Sequence, residues 1–239
     1  SDCLVGSEMC IRDSSTTKYI TGNGTSIGGA IIDAGNFDWS SGLFDEFTEP
    51  SPGYHGLVYH DALGPAAFIA KVRIEGLRDL GSAPSPFNCF QTIQGLETLS
   101  VRIKKHSENA LKVAEWLEKQ SQVAWVNYPG LKSSKYYKLS QKYLKNGQSG
   151  IVTFGLKGGF DSAKKLTDST EIFSLLANFG DSKSLIIHPS STTHQQLNEE
   201  QQKSTGVTSD LVRLSIGLED PADLIEDLQN CLLYTSPSP

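Results

Sequence analysis

The strongest periodic signal in the chain follows Pro84 and Pro86. There Leu96, Leu99, Ile103, Ala110, Val113 and Leu117 recur at three- and four-residue steps. Lys104, Lys105, Glu108, Lys112 and Glu115 fill the other face, so the spacing predicts one long amphipathic helix linking two halves of the molecule. Beyond it the pattern switches repeatedly. Residues 123–130 (VAWVNYPG) read as a strand ending in a turn, 134–144 as a helix, 150–158 (GIVTFGLKG) as a strand, and 160–168 and 171–179 as helices. Residues 184–189 form a short apolar run stopped by a proline, and 211–219 (LVRLSIGLE) alternate as a strand does. Asp220 then caps a helix whose first position is Pro221, with Asp223 in its first turn. Strands alternating with helices imply an α/β or α+β domain. Upstream, residues 15–30 are polar and glycine-rich with no visible strand before them. Residues 31–60 mix Phe37, Trp39, Phe44, Phe47, Tyr54 and Tyr59 with Gly and Pro, a long aromatic loop of little periodicity.

Composition narrows the partners. With 21 Lys and Arg against 27 Asp and Glu, the net charge is −6 and no basic stripe tracks a nucleic acid backbone. No apolar run reaches the roughly 20 residues of a membrane helix. Neither a nucleic-acid partner nor a membrane span is expected. Residues 1–14 (SDCLVGSEMCIRDS) and 231–239 (CLLYTSPSP) resemble translated adapter sequence or disordered tails. They hold Cys3, Cys10 and Cys231 and are set aside from fold arguments. The remaining interior Cys89 argues against a disulfide scaffold and fits a reducing compartment such as the cytoplasm.

Candidate chemistry starts at Ser15-Thr16-Thr17-Lys18. A lysine amine beside small hydroxyls can form a Schiff base with the aldehyde of pyridoxal phosphate while the hydroxyls donate to the phosphate. Alone this is a weak signal, because most lysines are solvated surface charges. Gly22, Gly24 and Gly28 miss the dinucleotide-binding spacing by one residue, and no lysine follows a glycine as in a P-loop. His188 and His194, six apart with no Cys or acidic partner, give no metal signature and read as structural. Arg213 by itself reads as a strand residue paired with an acid.

A resemblance changes these readings. Residues 15–29 (STTKYITGNGTSIGG) resemble the attachment-site motif of the Cys/Met-metabolism pyridoxal-phosphate enzymes, with Ser15, Thr17, Lys18, Tyr19, Ile20 and Gly22 in place and Asn23 where many members carry histidine. Residues 85–110 (SPFNCFQTIQGLETLSVRIKKHSENA) look like the family's segment leading into its inter-domain helix. Residues 149–159, 178–194 (NFGDSKSLIIHPSSTTH) and 211–220 (LVRLSIGLED) look like three further signature segments. The insertion at 35–59 and Asn178-Phe179-Gly180-Asp181 are similar to the O-acetylhomoserine sulfhydrylase branch.

The resemblance implies a truncated fold-type-I pyridoxal-phosphate transferase. Residues 15–100 are expected to be a remnant of the large cofactor domain, carrying the aromatic insertion 31–60, and residues 101–230 the smaller C-terminal α/β domain led by the long helix. It implies Lys18 as the catalytic, cofactor-bearing lysine and Ser15 and Thr17 as further cofactor contacts. Arg213 is implied to bind the substrate α-carboxylate as a bidentate fork, with Asn178 near that carboxylate and Thr193 helping to position Arg213. No metal is implied. The implied reaction is γ-replacement, in which O-acetyl-L-homoserine plus sulfide gives L-homocysteine plus acetate. A cystathionine or methionine γ-lyase is the alternative within the family, and a non-catalytic fragment the alternative outside it. Family members have further cofactor contacts upstream of the lysine and form tetramers with shared sites. The chain alone is therefore expected to be inactive or nearly so, and prone to aggregate.

Overall fold

The computed structural model describes residues 11–235, which divide into two compact units. One comprises residues 11–16 and Ile27–Phe90, the other Thr17–Ser26 and residues 91–235.

In the first unit, strands β1 (Ile11–Ser15) and β2 (Gly29–Asp33) form an antiparallel hairpin with Ile11 opposite Asp33 and Ser15 opposite Gly29. Helices α1 (Asp45–Thr48), α2 (Tyr59–Leu63) and α3 (Ala67–Lys71) follow, and α3 runs on into a wider π-helical stretch, Val72–Asp79. The aromatic residues expected to line a loop instead form a small core. Trp39 stacks on Phe47 at 4.1 Å and on Phe68 at 5.5 Å between ring centroids, with Tyr59 and Ala67 fully buried beside them. Ile11 packs against the same cluster, so regular structure begins inside the stretch 1–14 that had been set aside. Residues 1–10 lie outside the described residues.

Helix α4 (Pro86–Leu117) realises the predicted long helix. Its C-terminal half buries Ala110, Val113, Ala114 and Leu117 as the spacing requires. Leu96 departs from it at 51% exposed, and a buried polar face runs through Gly95, Arg102, His106 and Asn109. The compact units part at Phe90 and Gln91, and the polar face of α4 holds residues 17–26 within the second unit.

The rest of the second unit contains β3 (Val123–Asn127), α5 (Tyr137–Tyr143), β4 (Ile151–Leu156), α6 (Gly159–Ser169), β5 (Ser174–Leu175), β6 (Leu185–Ile187), α7 (Glu199–Ser204), β7 (Leu211–Ser215) and α8 (Pro221–Thr235). The five strands form one sheet in the order β3-β4-β7-β6-β5, antiparallel except for the β5–β6 pair. Period-2 alternation sorts its faces. Val152 lies opposite Leu214 and Phe154 opposite Val212, all fully buried against Leu117, Leu166, Leu224 and Leu228 from the helices. Thr153, Arg213 and Ile187 share the other register position, so Arg213 points away from that core.

Two expectations need correction. Residues 171–179 are not helical. The Asp227 carboxylate accepts the backbone N–H groups of Glu171, Ile172 and Phe173, and the N–H of Ser174 goes to the carbonyl of Ser184. Only Phe173 there is buried, while Leu175 and Leu176 are exposed, so the segment has one apolar anchor rather than a helical stripe. The C-terminal tail expectation also fails in part: α8 extends through Thr235, and Cys231, 3% exposed, belongs to the core. Residues 236–239 lie outside the described residues. Asp220 caps α8 as expected, its carboxylate accepting from the Ala222 amide at 2.8 Å.

Candidate active site

In the second unit Lys18 opens a single helical turn in which the Gly22 amide donates to the Lys18 carbonyl at 2.8 Å. The half-buried Lys18 Nζ donates to Asn178 Oδ1 and stands 4.9 Å from the centroid of the Phe179 ring. Asn178 also uses its backbone: its carbonyl accepts from Arg213 Nη2 at 3.1 Å. One residue thus touches both groups singled out from sequence, the lysine through its side chain and the arginine through its main chain. The next residues hold this strap in place, with the Gly180 amide donating to the buried Ser215 Oγ at 3.0 Å, two positions along β7 from Arg213.

Arg213 is half-buried, and burial pushes its guanidinium below the ordinary arginine range. Among the described residues no carboxylate lies within ion-pair distance of it. It therefore does not adopt the ordinary strand ion pair; its fork faces a neutral carbonyl and remains able to bind a carboxylate. Lys18 likewise has a neutral amide as acceptor, and among the described residues no carboxylate lies at ion-pair distance from it. That donor set fits attachment of an aldehyde-bearing cofactor.

The other expected residues fall in different places. Ser15 is exposed at the end of β1 in the first unit; Thr17 is half-buried in the second. Thr193 does not reach Arg213. It is exposed, and its hydroxyl pairs with Nδ1 of the adjacent His194 at 2.8 Å. His188 is fully buried, with Nε2 donating to the Ser209 carbonyl and Nδ1 accepting from Ser191 Oγ, each at 2.8 Å.

Sequence reasoning missed the support beneath Lys18. Arg102, 8% exposed, donates from Nη1 to the Tyr19 carbonyl at 2.8 Å and from Nη2 to the carbonyls of Ile20 at 3.2 Å and Gly95 at 2.6 Å. Its Nε donates to Thr98 Oγ1 at 3.0 Å, and burial lowers its pKa. One turn further along α4, the His106 ring meets the edge of Tyr19 at 5.3 Å. His106 Nδ1 donates to the Ile216 carbonyl at 2.6 Å, which leaves Nε2 buried as a bare acceptor without a partner. The polar residues 102, 106 and 109, at four- and three-residue steps, were the available signal.

Burial lowers the pKa of His106 and of His188, so the folded protein resists protonating both rings. The unfolded chain binds those protons near the ordinary imidazole value of about 6.5. Below that value the unfolded state holds more protons, so stability is complete above it and is lost as pH falls towards the depressed folded values. Urea midpoints should therefore decline on acidification from about pH 7 to 5. In the double variant His106→Gln, His188→Gln the slope should flatten whatever its absolute stability; equal slopes would contradict this assignment.

The sequence profile of the Cys/Met metabolism PLP-dependent enzymes matches residues 8–233. The chain is 54% identical over 227 residues to an O-acetyl-L-homoserine sulfhydrylase of Leptospira meyeri, covering 91% of this chain and 51% of that protein. It is 48% identical over 220 residues to a homocysteine synthase of Schizosaccharomyces pombe, again covering 91% of this chain and 51% of the other. Among solved structures, a protein of Campylobacter jejuni subsp. jejuni assigned as an O-acetylhomoserine (thiol)-lyase superimposes with a TM-score of 0.85 at 44% identity, over 93% of this chain and 53% of that one. That crystal structure contains N'-pyridoxyl-lysine-5'-monophosphate. The chain spans about half the length of the curated relatives it matches.

Proposed function

This chain belongs to the Cys/Met metabolism PLP-dependent enzymes and has their fold-type-I α/β architecture, and from that premise we propose that it carries the lysine-bearing and carboxylate-binding part of an O-acetyl-L-homoserine sulfhydrylase. The reaction is O-acetyl-L-homoserine plus sulfide to L-homocysteine plus acetate. The observation that carries this reading is the Lys18–Asn178–Arg213 link, an amine and an unpaired guanidinium joined through one residue.

Bound pyridoxal phosphate supplies an aldehyde that condenses with amines and a conjugated ring that holds negative charge. Lys18 attaches the cofactor covalently, and once displaced by the substrate amine it moves protons at the substrate Cα and Cβ. Ser15 and Thr17 offer hydroxyl donors to the phosphate, on the strength of the motif around Lys18. Arg213 exchanges the Asn178 carbonyl for the substrate carboxylate and so fixes the bonds at Cα and Cγ relative to the ring. Asn178 lies beside that carboxylate through its main chain. Assembly as a homotetramer in the cytoplasm completes the reading. The exposed, unpaired Cys89 accords with a reducing compartment, and among the described residues no helix is long and apolar enough to cross a membrane.

The test uses a chimera in which residues 15–230 replace the matching part of the Leptospira meyeri enzyme, with acetate, homocysteine and ammonia all measured. Acetate released together with homocysteine supports the reading; ammonia with a 2-oxo acid would replace it by a lyase. In the same chimera Arg213→Ala should lower kcat/KM for O-acetylhomoserine about thirty- to hundredfold, the loss of roughly 2–3 kcal/mol from a charge-assisted pair. Arg213→Lys should recover only part of this, because an ammonium lacks the planar fork.

A further inference from the structure

The buried guanidinium of Arg102 has no counter-charge. Its four hydrogen bonds end on three carbonyls and one hydroxyl, and among the described residues no carboxylate lies at ion-pair distance. Burying such a cation costs free energy that neutral acceptors recover only in part. The geometry shows what is obtained in return. The turn from Lys18 to Gly22 is a single helical turn, so the carbonyls of Tyr19 and Ile20 have no following helical amides to accept from. The guanidinium fork serves both. One glycine leaves room for the fork and another for the turn it holds. A Cβ on Gly22, which has φ +82°, would overlap the guanidinium itself. A Cβ on Gly95 would lie 2.5 Å from the Ile20 carbonyl oxygen. Gly22 and, more than seventy residues on, Gly95 and Arg102 of α4 are thus committed to one contact on the peptide planes that follow Lys18.

We propose that Arg102 is a positioning residue for Lys18, its fork clamping the Tyr19 and Ile20 carbonyls so that the lysine leaves the turn in the one direction that meets Asn178 and Phe179. The proposal rests on Lys18 being the cofactor lysine. It assigns Arg102 no contact with substrate or cofactor. The fork, and not merely the positive charge, is what the turn requires.

The test incubates the full chain with pyridoxal phosphate, traps attachment with borohydride and quantifies pyridoxyl-Lys18 by peptide mass spectrometry. The half-exposed Lys164 in the same digest serves as internal reference. Induced visible circular dichroism per attached cofactor reports whether the group is held in a fixed orientation. Arg102→Met and Arg102→Lys should each lower the Lys18:Lys164 labelling ratio about tenfold, equivalent to about 1.4 kcal/mol, and erase the induced signal while far-UV spectra stay native. Thr98→Val, at an exposed residue that orients Nε, should lower the ratio about twofold and decides the matter if the Arg102 variants do not fold. Unchanged ratios and dichroism in folded variants would overturn the proposal, as would full recovery by Arg102→Lys, which would make charge alone responsible. A folded wild-type chain in which Lys18 is labelled no better than Lys164 would overturn the Lys18 reading itself, and the proposal with it.

Discussion

Lys18→Ala is expected to abolish site-specific attachment of pyridoxal phosphate, leaving only the background labelling of exposed lysines, and to lower turnover in the chimera at least about 10³-fold. Two functions are lost together, the covalent anchor and the base that moves protons at Cα and Cβ. Lys18→Arg separates chemistry from packing. It retains a cation able to reach Asn178 Oδ1 and the Phe179 ring, yet a guanidinium does not condense with an aldehyde. The arginine variant should therefore melt like the parent and attach nothing. Substantial specific labelling of either variant, or turnover within tenfold of the parent chimera, would remove Lys18 from the mechanism.

The second large effect is one of stability, and its sign runs against propensity. Gly95 lies inside α4, where replacing glycine by alanine ordinarily stabilises a helix by about 1 kcal/mol. Here the added Cβ would stand 2.5 Å from the Ile20 carbonyl oxygen and 2.7 Å from the Thr21 Cα, with the Thr21 carbonyl closer still. All three are backbone atoms and cannot rotate aside. Overpacking costs about 1–3 kcal/mol where neighbours can adjust, so the upper end applies and outweighs the propensity gain. Gly95→Ala should destabilise the chain by about 2 kcal/mol, lowering Tm by roughly 4–8 °C. Ser100→Ala, exposed on the same helix, is the control and should be neutral or slightly stabilising. A Gly95 variant as stable as the parent would mean that the 17–26 segment does not lie against α4.

Regular elements were legible where one face is apolar and the other wet. The alternation in residues 211–219 placed β7, and the β4–β7 register then puts Arg213 on the face opposite to Val212 and Leu214. The Asp220–Pro221 cap was legible because the chemistry of a helix start is local. Residues 171–179 were not, since their backbone donors are taken by Asp227, which lies more than fifty residues on. Nor was the clamp on the Lys18 turn. An arginine between Val101 and Ile103 looks like one charge on an amphipathic helix until the carbonyls it serves are known. The glycines around Lys18 matched no phosphate-binding spacing, and Gly22 leaves room where a Cβ would overlap the Arg102 guanidinium. Thr193 shows the converse: a motif drew it towards Arg213, while the neighbouring imidazole claims its hydroxyl.

The Lys18 turn is assembled from parts the ribosome delivers far apart. Tyr19 and Arg102 are separated by 83 positions, and Lys18 and Asn178 by 160. Closing loops of that length carries an entropic cost that is met only when the partners already stand on folded structure. The Lys18 turn is therefore expected to order late, after α4 has formed and the strap at 178–181 has docked beside β7. A nascent chain halted before Asn178 would lack the amide and the ring that Lys18 Nζ meets, and its lysine should condense with free aldehydes less selectively. Selective labelling of Lys18 thus doubles as a clock for synthesis: it should rise only once β7 has emerged from the ribosome, which a stalled-ribosome series would show.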